Sequence, residues 1–232
     1  MRNKEIVFVA LKLFVITAVA ALCLAVVNKV TAPVIATNTA KAENEALREV
    51  LPAANEFKKT EFSDADIPKA AKNGVRIENF CIGTDNDGAV SGYVVTAVSN
   101  AGYGGDVKVM IGLDNSLCVT HAKIMESSET AGLGANASKP AFIDQYNGKS
   151  GELSVVKGKT GSDSEISAIS GATITSRAVT SCVNAATELV KNKQEKGFDA
   201  DNSAAVNEKV KETEAATNAQ LSGAAQEGGG EQ

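Results

Sequence analysis

The 232-residue sequence contains no tryptophan and a single histidine, and aromatic residues make up only 4% of it. With His121 as the one histidine, a metal site built on several histidines is excluded, and no G-x-S-x-G sequence is present to expose a nucleophilic serine. The four cysteines form no C-x-x-C pair, so they give no sign of zinc or iron–sulfur ligation, although one disulfide stays open as an alternative. We therefore predict no metal site and no catalytic residue.

Basic character is also lacking. The formal net charge is −5, and no run of basic residues interleaved with aromatic residues occurs. Proteins that bind nucleic acid carry such surfaces, because contacts to phosphate supply most of the affinity. We expect no nucleic-acid partner.

A long apolar run near the N-terminus is the first positive feature. Leu13–Val27 carries no charge, and with Ile6–Leu11 it provides about the 20 residues that a membrane-spanning helix needs. Three basic residues, Arg2, Lys4 and Lys12, lie before Leu13–Val27, whereas only Lys29 directly follows it. The positive-inside tendency then predicts a cytoplasmic N-terminus and an extracytoplasmic location for the rest of the chain. A cleaved signal peptide is the alternative. No convincing cleavage site directly follows the run, so we predict a retained single-pass anchor in the cell membrane.

The segments after the anchor alternate between strand-like runs and turns rich in Asp, Asn and Gly. Strands are predicted at Val75–Gly83, Ala89–Ser99, Asp106–Leu113 and Leu117–Met125. We interpret Asp85–Gly88 as a hairpin turn, because it lacks the closing glutamate of a calcium loop. A short helix at Lys139–Tyr146 and a strand at Leu153–Lys157 follow, and Ile166–Ile169 is extended. The fold class is α+β: an antiparallel sheet packed with helices, preceded by one transmembrane helix.

The predicted organisation has four parts. The anchor covers residues 1–30, a juxtamembrane helix and connecting segment cover 31–74, the main domain covers 75–198, and a disordered tail covers 199–232. Within the second part, Thr39–Val50 is predicted to be a helix that ends before Pro52, and the polar stretch Asn55–Asn73 is predicted to pack loosely. The tail consists mainly of Ala, Glu, Asn and Gly and contains no aromatic residue.

The most informative motif is a hydroxyl-rich turn before a predicted helix. It reads Ser170-Gly171-Ala172-Thr173-Ile174-Thr175-Ser176. The amphipathic segment Arg177–Lys193 follows, with an apolar face at Val179, Cys182, Val183, Ala186, Leu189 and Val190. A helix N-terminus favours a phosphate, and the small residues of the turn leave room for one. Ser170, Thr175 and Ser176 could donate to phosphate oxygens. The alternative is a plain Ser/Thr cap with nothing bound.

A second segment rich in glycine follows the last predicted strand. It reads Glu129-Thr130-Ala131-Gly132-Leu133-Gly134-Ala135. The two glycines alone are typical of an ordinary loop, and no βαβ unit surrounds them. The carboxylate of Glu129 could accept a hydrogen bond from a ring N–H or a sugar-alcohol hydroxyl.

The anchor and these two motifs, about forty residues apart, resemble the FMN-binding domain family. More narrowly, residues 5–195 resemble the G subunits of the Rnf electron-transport complex, a membrane-bound ferredoxin:NAD oxidoreductase. The resemblance implies that FMN is attached covalently through its phosphate to Thr173 by a flavin transferase, which uses FAD and magnesium and releases AMP. It also implies that Glu129–Gly134 lies against the flavin, and Tyr103 in the Gly102–Gly105 loop could stack on the ring. Two positions depart from the family pattern: Ser167 replaces an aspartate and Ala131 replaces a proline.

The function implied by this resemblance is electron relay. The chain would be a membrane-anchored flavoprotein subunit, with the other Rnf subunits and membrane lipid as partners and no catalytic site of its own. Three alternatives stay open: the C subunit of a sodium-pumping NADH:quinone oxidoreductase, a free-standing extracytoplasmic FMN carrier, and a tethered binding domain without a cofactor.

Overall fold

The structure is a computed structural model that describes residues 2–62 and 74–196. The chain divides into two compact units, Met1–Glu45 and Ala46–Gln232. The predicted tail at 199–232 and part of the predicted connecting segment lie outside the described residues.

Helix α1 runs from Arg2 to Val50. Within the first unit its described side chains are exposed almost throughout, and most of the large ones are apolar. The helix is long and apolar enough to cross a membrane, as predicted from the sequence. Its last turn, from Ala46 to Val50, belongs to the second unit.

The second unit is built on a five-stranded antiparallel sheet with the strand order β1-β2-β3-β4-β5. The strands are β1 (Glu56–Lys59), β2 (Val75–Thr84), β3 (Val90–Ser99), β4 (Val107–Leu113) and β5 (Val119–Ser127). The four predicted strands and their meander order are confirmed. Asp85–Gly88 forms the predicted turn, because the carboxylate of Asp85 accepts the N–H groups of Asp87 and Ala89, each at 2.9 Å.

The prediction of a loosely packed stretch at Asn55–Asn73 is wrong for its first residues. Residues 56–59 form β1, which pairs with the end of β2. Nearby, Leu51 is fully buried and packs with Val94 and Met110 against the sheet. Part of the segment predicted to connect the anchor to the domain therefore belongs to the domain's own fold.

Short elements follow the sheet. Helix α2 (Pro140–Ile143) lies between the 3-10 turns Gly134–Ser138 and Asp144–Tyr146. Strands β6 (Ser154–Val156) and β7 (Glu165–Ser167) form a separate parallel pair. Helix α3 extends from Thr173 to Lys196.

The sheet is covered on both faces. Helix α3 packs on one face, and all six residues of its predicted apolar face are buried. The end of α1 covers the other face around Val94 and Met110. Because both faces of β3 are covered, its buried positions run continuously instead of alternating. No disulfide joins any of the four cysteines, all of which lie in the described part of the chain.

Candidate functional site

A cleft of about 1330 Å³ opens beside the N-terminal end of α3. Its walls come from the loop between β3 and β4, the loop after β5, the loop between β6 and β7, and the turn leading into α3. All the predicted site residues line it except Gly132 and Ser176. The fold therefore brings together two motifs that lie about forty residues apart in the sequence.

The head of α3 is the strongest anion-binding feature of the cleft. The helix begins at Thr173, and the carbonyl of the preceding Ala172 accepts the N–H of Ser176 at 3.0 Å. Alanine at this position has no side-chain oxygen with which to cap the helix, so the alternative of a plain Ser/Thr cap does not apply. Among the described residues, none accepts the N–H groups of residues 173–175. These donors and the helix dipole would stabilise a negatively charged group bound at this end of the cleft.

The turn before α3 leaves space for such a group. Gly171 has φ +75°, and a Cβ there would lie 3.2 Å from Cδ2 of Leu133, so a larger residue would be both strained and crowded. Ser170 is exposed in the cleft, whereas Thr173 is half-buried. Both hydroxyls therefore lie beside the open helix end.

The hydroxyls of Thr175 and Ser176 have partners within the protein. The hydroxyl of Thr175 is buried and donates to Oε2 of Glu129 at 2.9 Å. The hydroxyl of Ser176 is also buried; it donates to the carbonyl of Ala172 and accepts the N–H of Ile169, both at 3.0 Å. Each side chain has one hydroxyl hydrogen, and the protein already uses it. These two hydroxyls hold the turn and the neighbouring loop in place, and their donation to a phosphate stays a prediction.

Glu129 likewise has partners within the protein. Its Oε1 accepts the backbone N–H of Tyr103 at 2.7 Å and that of Gly104 at 3.2 Å, while Oε2 accepts the hydroxyl of Thr175. The expected hydrogen bond from Glu129 to a ligand stays a prediction. What the structure shows is a carboxylate that joins two loops to α3.

The rest of the second motif forms a compact loop. The carbonyl of Thr130 accepts the N–H groups of Leu133 and Ala135, at 3.1 and 3.2 Å. Gly132 has φ +79°, and its carbonyl accepts the side-chain amide of Asn136 at 2.7 Å. Gly132 therefore shapes the loop without reaching the cleft, and Leu133 projects at its tip.

One wall of the cleft was missed by the sequence reasoning. It consists of Lys157–Thr160, between β6 and β7, together with Ser167 and Ala168. The hydroxyl of Ser167 donates to the carbonyl of Gly158 at 2.5 Å and ties this wall to the turn before α3. Two closely spaced lysines, Lys157 and Lys159, could have indicated this wall from the sequence. They are the positively charged side chains among the described residues that line the cleft.

Three apolar side chains of the cleft lining are exposed. The side chains of Tyr103, Leu133 and Ile174 are 73%, 44% and 51% exposed. Outside α1, Val90 is the one other large apolar residue exposed to this degree in the described part of the chain. Exposed apolar surface concentrated in one place marks a binding site. The cleft thus combines an apolar rim with a positive helix end, which suits a ligand with a flat apolar ring and an acidic tail.

His121 lies outside this site. It is a residue of β5, as predicted, and its Nδ1 lies 3.1 Å from Oδ1 of Asn147. The side chain has a structural partner in the fold.

Comparisons with known proteins give the class. The model of the FMN-binding domain family matches residues 102–188, a range that contains every lining residue of the cleft. A second model, of the RnfG N-terminal region, matches residues 1–50. The chain is therefore a protein with an apolar N-terminal helix and an FMN-binding domain.

Relatives that the chain matches over most of their length identify the family more closely. The chain is 42% identical over 196 residues to the G subunit of the Na⁺-translocating ferredoxin:NAD⁺ oxidoreductase complex of Acetobacterium woodii, covering 81% of this chain and 93% of that one. It is 33% identical over 190 residues to the G subunit of the ion-translocating oxidoreductase complex of Methanosarcina acetivorans, covering 81% and 96%. It belongs to this family, the G subunits of Rnf complexes.

A solved structure is also similar in part. It is the C subunit of the Na⁺-translocating NADH-quinone reductase from Parabacteroides distasonis, which is 26% identical with a TM-score of 0.46, over 66% of this chain and 82% of that one.

Proposed function

We propose that this chain is the electron-relaying flavoprotein subunit of an ion-translocating ferredoxin:NAD oxidoreductase complex, and that it carries FMN bound covalently through its phosphate to Oγ1 of Thr173. One observation above all supports the proposal. The threonine of the family's attachment motif is the first residue of α3, in the cleft, beside N–H groups that have no acceptor among the described residues.

The helix end suits the phosphate. A phosphodiester on Thr173 keeps one negative charge, and a charge at a helix N-terminus is stabilised by about 0.3–1 kcal/mol, or up to ~2 kcal/mol where it is partly buried. Lys157 and Lys159 add positive charge to the same lining. Ser170 is the motif hydroxyl that stays exposed for donation to a phosphate oxygen.

The apolar rim suits the ring. Tyr103, Leu133 and Ile174 offer exposed apolar surface against which a flat tricycle can pack. When bound, FMN supplies the ability to pass one or two electrons. The chain's own residues hold the group, shield part of it from water, and fix it to one place so that it is not lost outside the cell.

The setting is a membrane complex. The apolar helix α1 fits a membrane-anchored subunit, and the relatives are components of larger complexes. We place the N-terminus in the cytoplasm and the FMN-binding domain on the extracytoplasmic side, because the basic residues around the apolar run lie mainly before it. A flavin transferase that uses FAD and releases AMP would attach the cofactor.

Mass analysis of the full chain from cells with the transferase tests the attachment. The wild-type chain should be heavier than its sequence by one FMN moiety, and Thr173→Ala should lose this increment. Ser150→Ala is the control, since it removes an exposed hydroxyl outside the cleft and should keep the increment. A Thr173→Ala chain that still carries the full increment would refute the assignment.

Cysteine labelling tests the orientation. Asn3→Cys and Ser150→Cys are made separately in a chain whose native cysteines are replaced by serine or alanine. A membrane-impermeant maleimide should label position 150 in intact cells and position 3 only after lysis. The opposite pattern would place the domain in the cytoplasm.

A further inference from the structure

The loop that carries Tyr103 is tethered by one side chain. This loop, Gly102–Gly105, joins β3 to β4 and projects into the cleft wall. Its hydrogen bonds to the described part of the chain are the two from the N–H groups of Tyr103 and Gly104 to Oε1 of Glu129. The ring of Tyr103 is 73% exposed, so packing alone does not fix it.

The tether is anchored in turn by α3. The second oxygen of Glu129 accepts the hydroxyl of Thr175, which is 1% exposed in the first turn of the helix. A continuous chain of contacts therefore runs from α3 through Thr175 and Glu129 to the Tyr103 loop. The same helix begins at Thr173, the proposed attachment point.

Two glycines leave room for this carboxylate. A Cβ on Gly134 would contact Oε2 of Glu129 and lie 2.7 Å from Oγ1 of Thr175. A Cβ on Gly102 would lie 2.6 Å from Oε1 of Glu129. A Cβ on Gly134 would displace the carboxylate, and one on Gly102 would collide with both the carboxylate and the carbonyl of Gly105.

We infer that Glu129 is a positioning residue: together with Thr175 it holds Tyr103 against the ring of the bound flavin. This inference rests on the proposed function. A carboxylate suits the task, because an ionised acceptor makes stronger hydrogen bonds to backbone N–H groups than a neutral one. This role also explains why an acidic residue lies beside a site for a phosphorylated ligand. The negative charge of Glu129 is stabilised by hydrogen bonds from two backbone N–H groups and the hydroxyl of Thr175.

Flavin fluorescence in the purified, full-length protein tests the inference, and the chain has no tryptophan that could quench the flavin instead. A tyrosine stacked on the ring quenches this fluorescence by electron transfer. Tyr103→Leu should therefore raise the fluorescence yield several-fold. Glu129→Ala should raise it to a similar level, and the double variant should add little more. Glu129→Gln keeps one acceptor oxygen and should be intermediate.

The helix side of the tether is tested without changing the carboxylate. Thr175→Val should raise the fluorescence, and Thr175→Ser should restore the wild-type value because it keeps the hydroxyl. Thr187→Val is the matched control: Thr187 is a buried threonine of the same helix whose hydroxyl donates to the carbonyl of Val183, away from the cleft. It should leave the yield unchanged.

The outcomes separate the two proposals. A wild-type chain without the FMN mass increment refutes the proposed function. A flavin-loaded chain whose fluorescence does not respond to Tyr103→Leu, or in which Thr175→Val equals wild type, overturns the positioning role alone. If Glu129→Ala does not fold, the Thr175 pair decides the question.

Discussion

Leu51 directly follows α1 and packs against the sheet, and replacing it with alanine should be costly. Its side chain is fully buried, and it lies over two glycines that face each other on neighbouring strands, Gly83 on β2 and Gly92 on β3. A Cβ on Gly83 would lie 2.6 Å from Cδ2 of Leu51, and one on Gly92 would lie 2.8 Å from Cδ1. The two missing side chains form the hole that the leucine fills.

The expected magnitude follows from this fit. Leu→Ala in a core costs about 2–5 kcal/mol, depending on how far the site can collapse. Strand backbones on one side cannot move inward without breaking the sheet, so we expect Leu51→Ala to fall in the upper half of that range. Gly83→Ala overfills the same place and should cost about 1–3 kcal/mol.

The double variant is the sharper test. In Leu51→Ala/Gly83→Ala the new methyl enters space that the leucine has vacated, leaving only the contact with Ala54, whose Cβ would be 2.7 Å away. The combined cost should therefore be smaller than the sum of the single costs by about 1 kcal/mol or more.

Urea unfolding of the detergent-solubilised full chain measures these costs, followed by the near-ultraviolet circular dichroism of its three tyrosines. Val90→Ala, at an exposed position of β3, is the control and should change the free energy of unfolding by no more than about 0.5 kcal/mol. Strict additivity of Leu51→Ala and Gly83→Ala, or a cost of Leu51→Ala no larger than that of the control, would refute this account of the contact.

Two further predictions concern titratable groups. Burial raises the pKa of the Cys182 thiol to about 12, so an alkylating reagent should modify Cys182 only after urea unfolds the protein, and rapid modification of the native chain would contradict this. The hydrogen bond from Lys108 lowers the pKa of Glu78 below its ordinary value of 4.5, so this carboxylate stabilises the fold above that pH and the contribution is lost as the pH falls through the lowered pKa. Lys108→Met should cost about 0.2–1 kcal/mol at neutral pH and less in acid, and an equal cost at both pH values would argue against the pair.

The strands could be predicted because their apolar runs end at turns with clear signals. The β2–β3 hairpin is an example. Its turn is predicted from the Asp-Asn-Asp-Gly sequence, and in the structure the carboxylate of Asp85 accepts two backbone N–H groups of that turn. Strand β1 could not be predicted, because Glu-Phe-Lys-Lys is too short to show an alternating pattern of apolar and polar residues. Pairing with the end of β2 makes residues 56–59 a strand, and this is a tertiary effect that local sequence does not carry.

The site also has features that local sequence predicts and features that depend on tertiary contacts. A helix after the hydroxyl-rich motif follows from a local pattern, although the structure begins it at Thr173, within the predicted turn and before the amphipathic segment Arg177–Lys193. The hydrogen bond between Thr175 and Glu129 joins residues 46 positions apart, and no local pattern indicates it. Lys157 and Lys159 reach the cleft because β6 pairs in parallel with β7. The sequence predicts a strand at Leu153–Lys157, but no local signal indicates this parallel pairing.

The alanine at the head of α3 has a consequence for maturation. Because Ala172 offers no capping oxygen, the phosphate itself would serve as the missing N-cap, an interaction worth about 0.5–2 kcal/mol in other helices. The unloaded chain would then be less stable by about this amount, and proteases would degrade it faster than the loaded chain. Limited proteolysis of loaded and unloaded chains side by side measures this difference, and equal lifetimes would show that the helix does not need the cap.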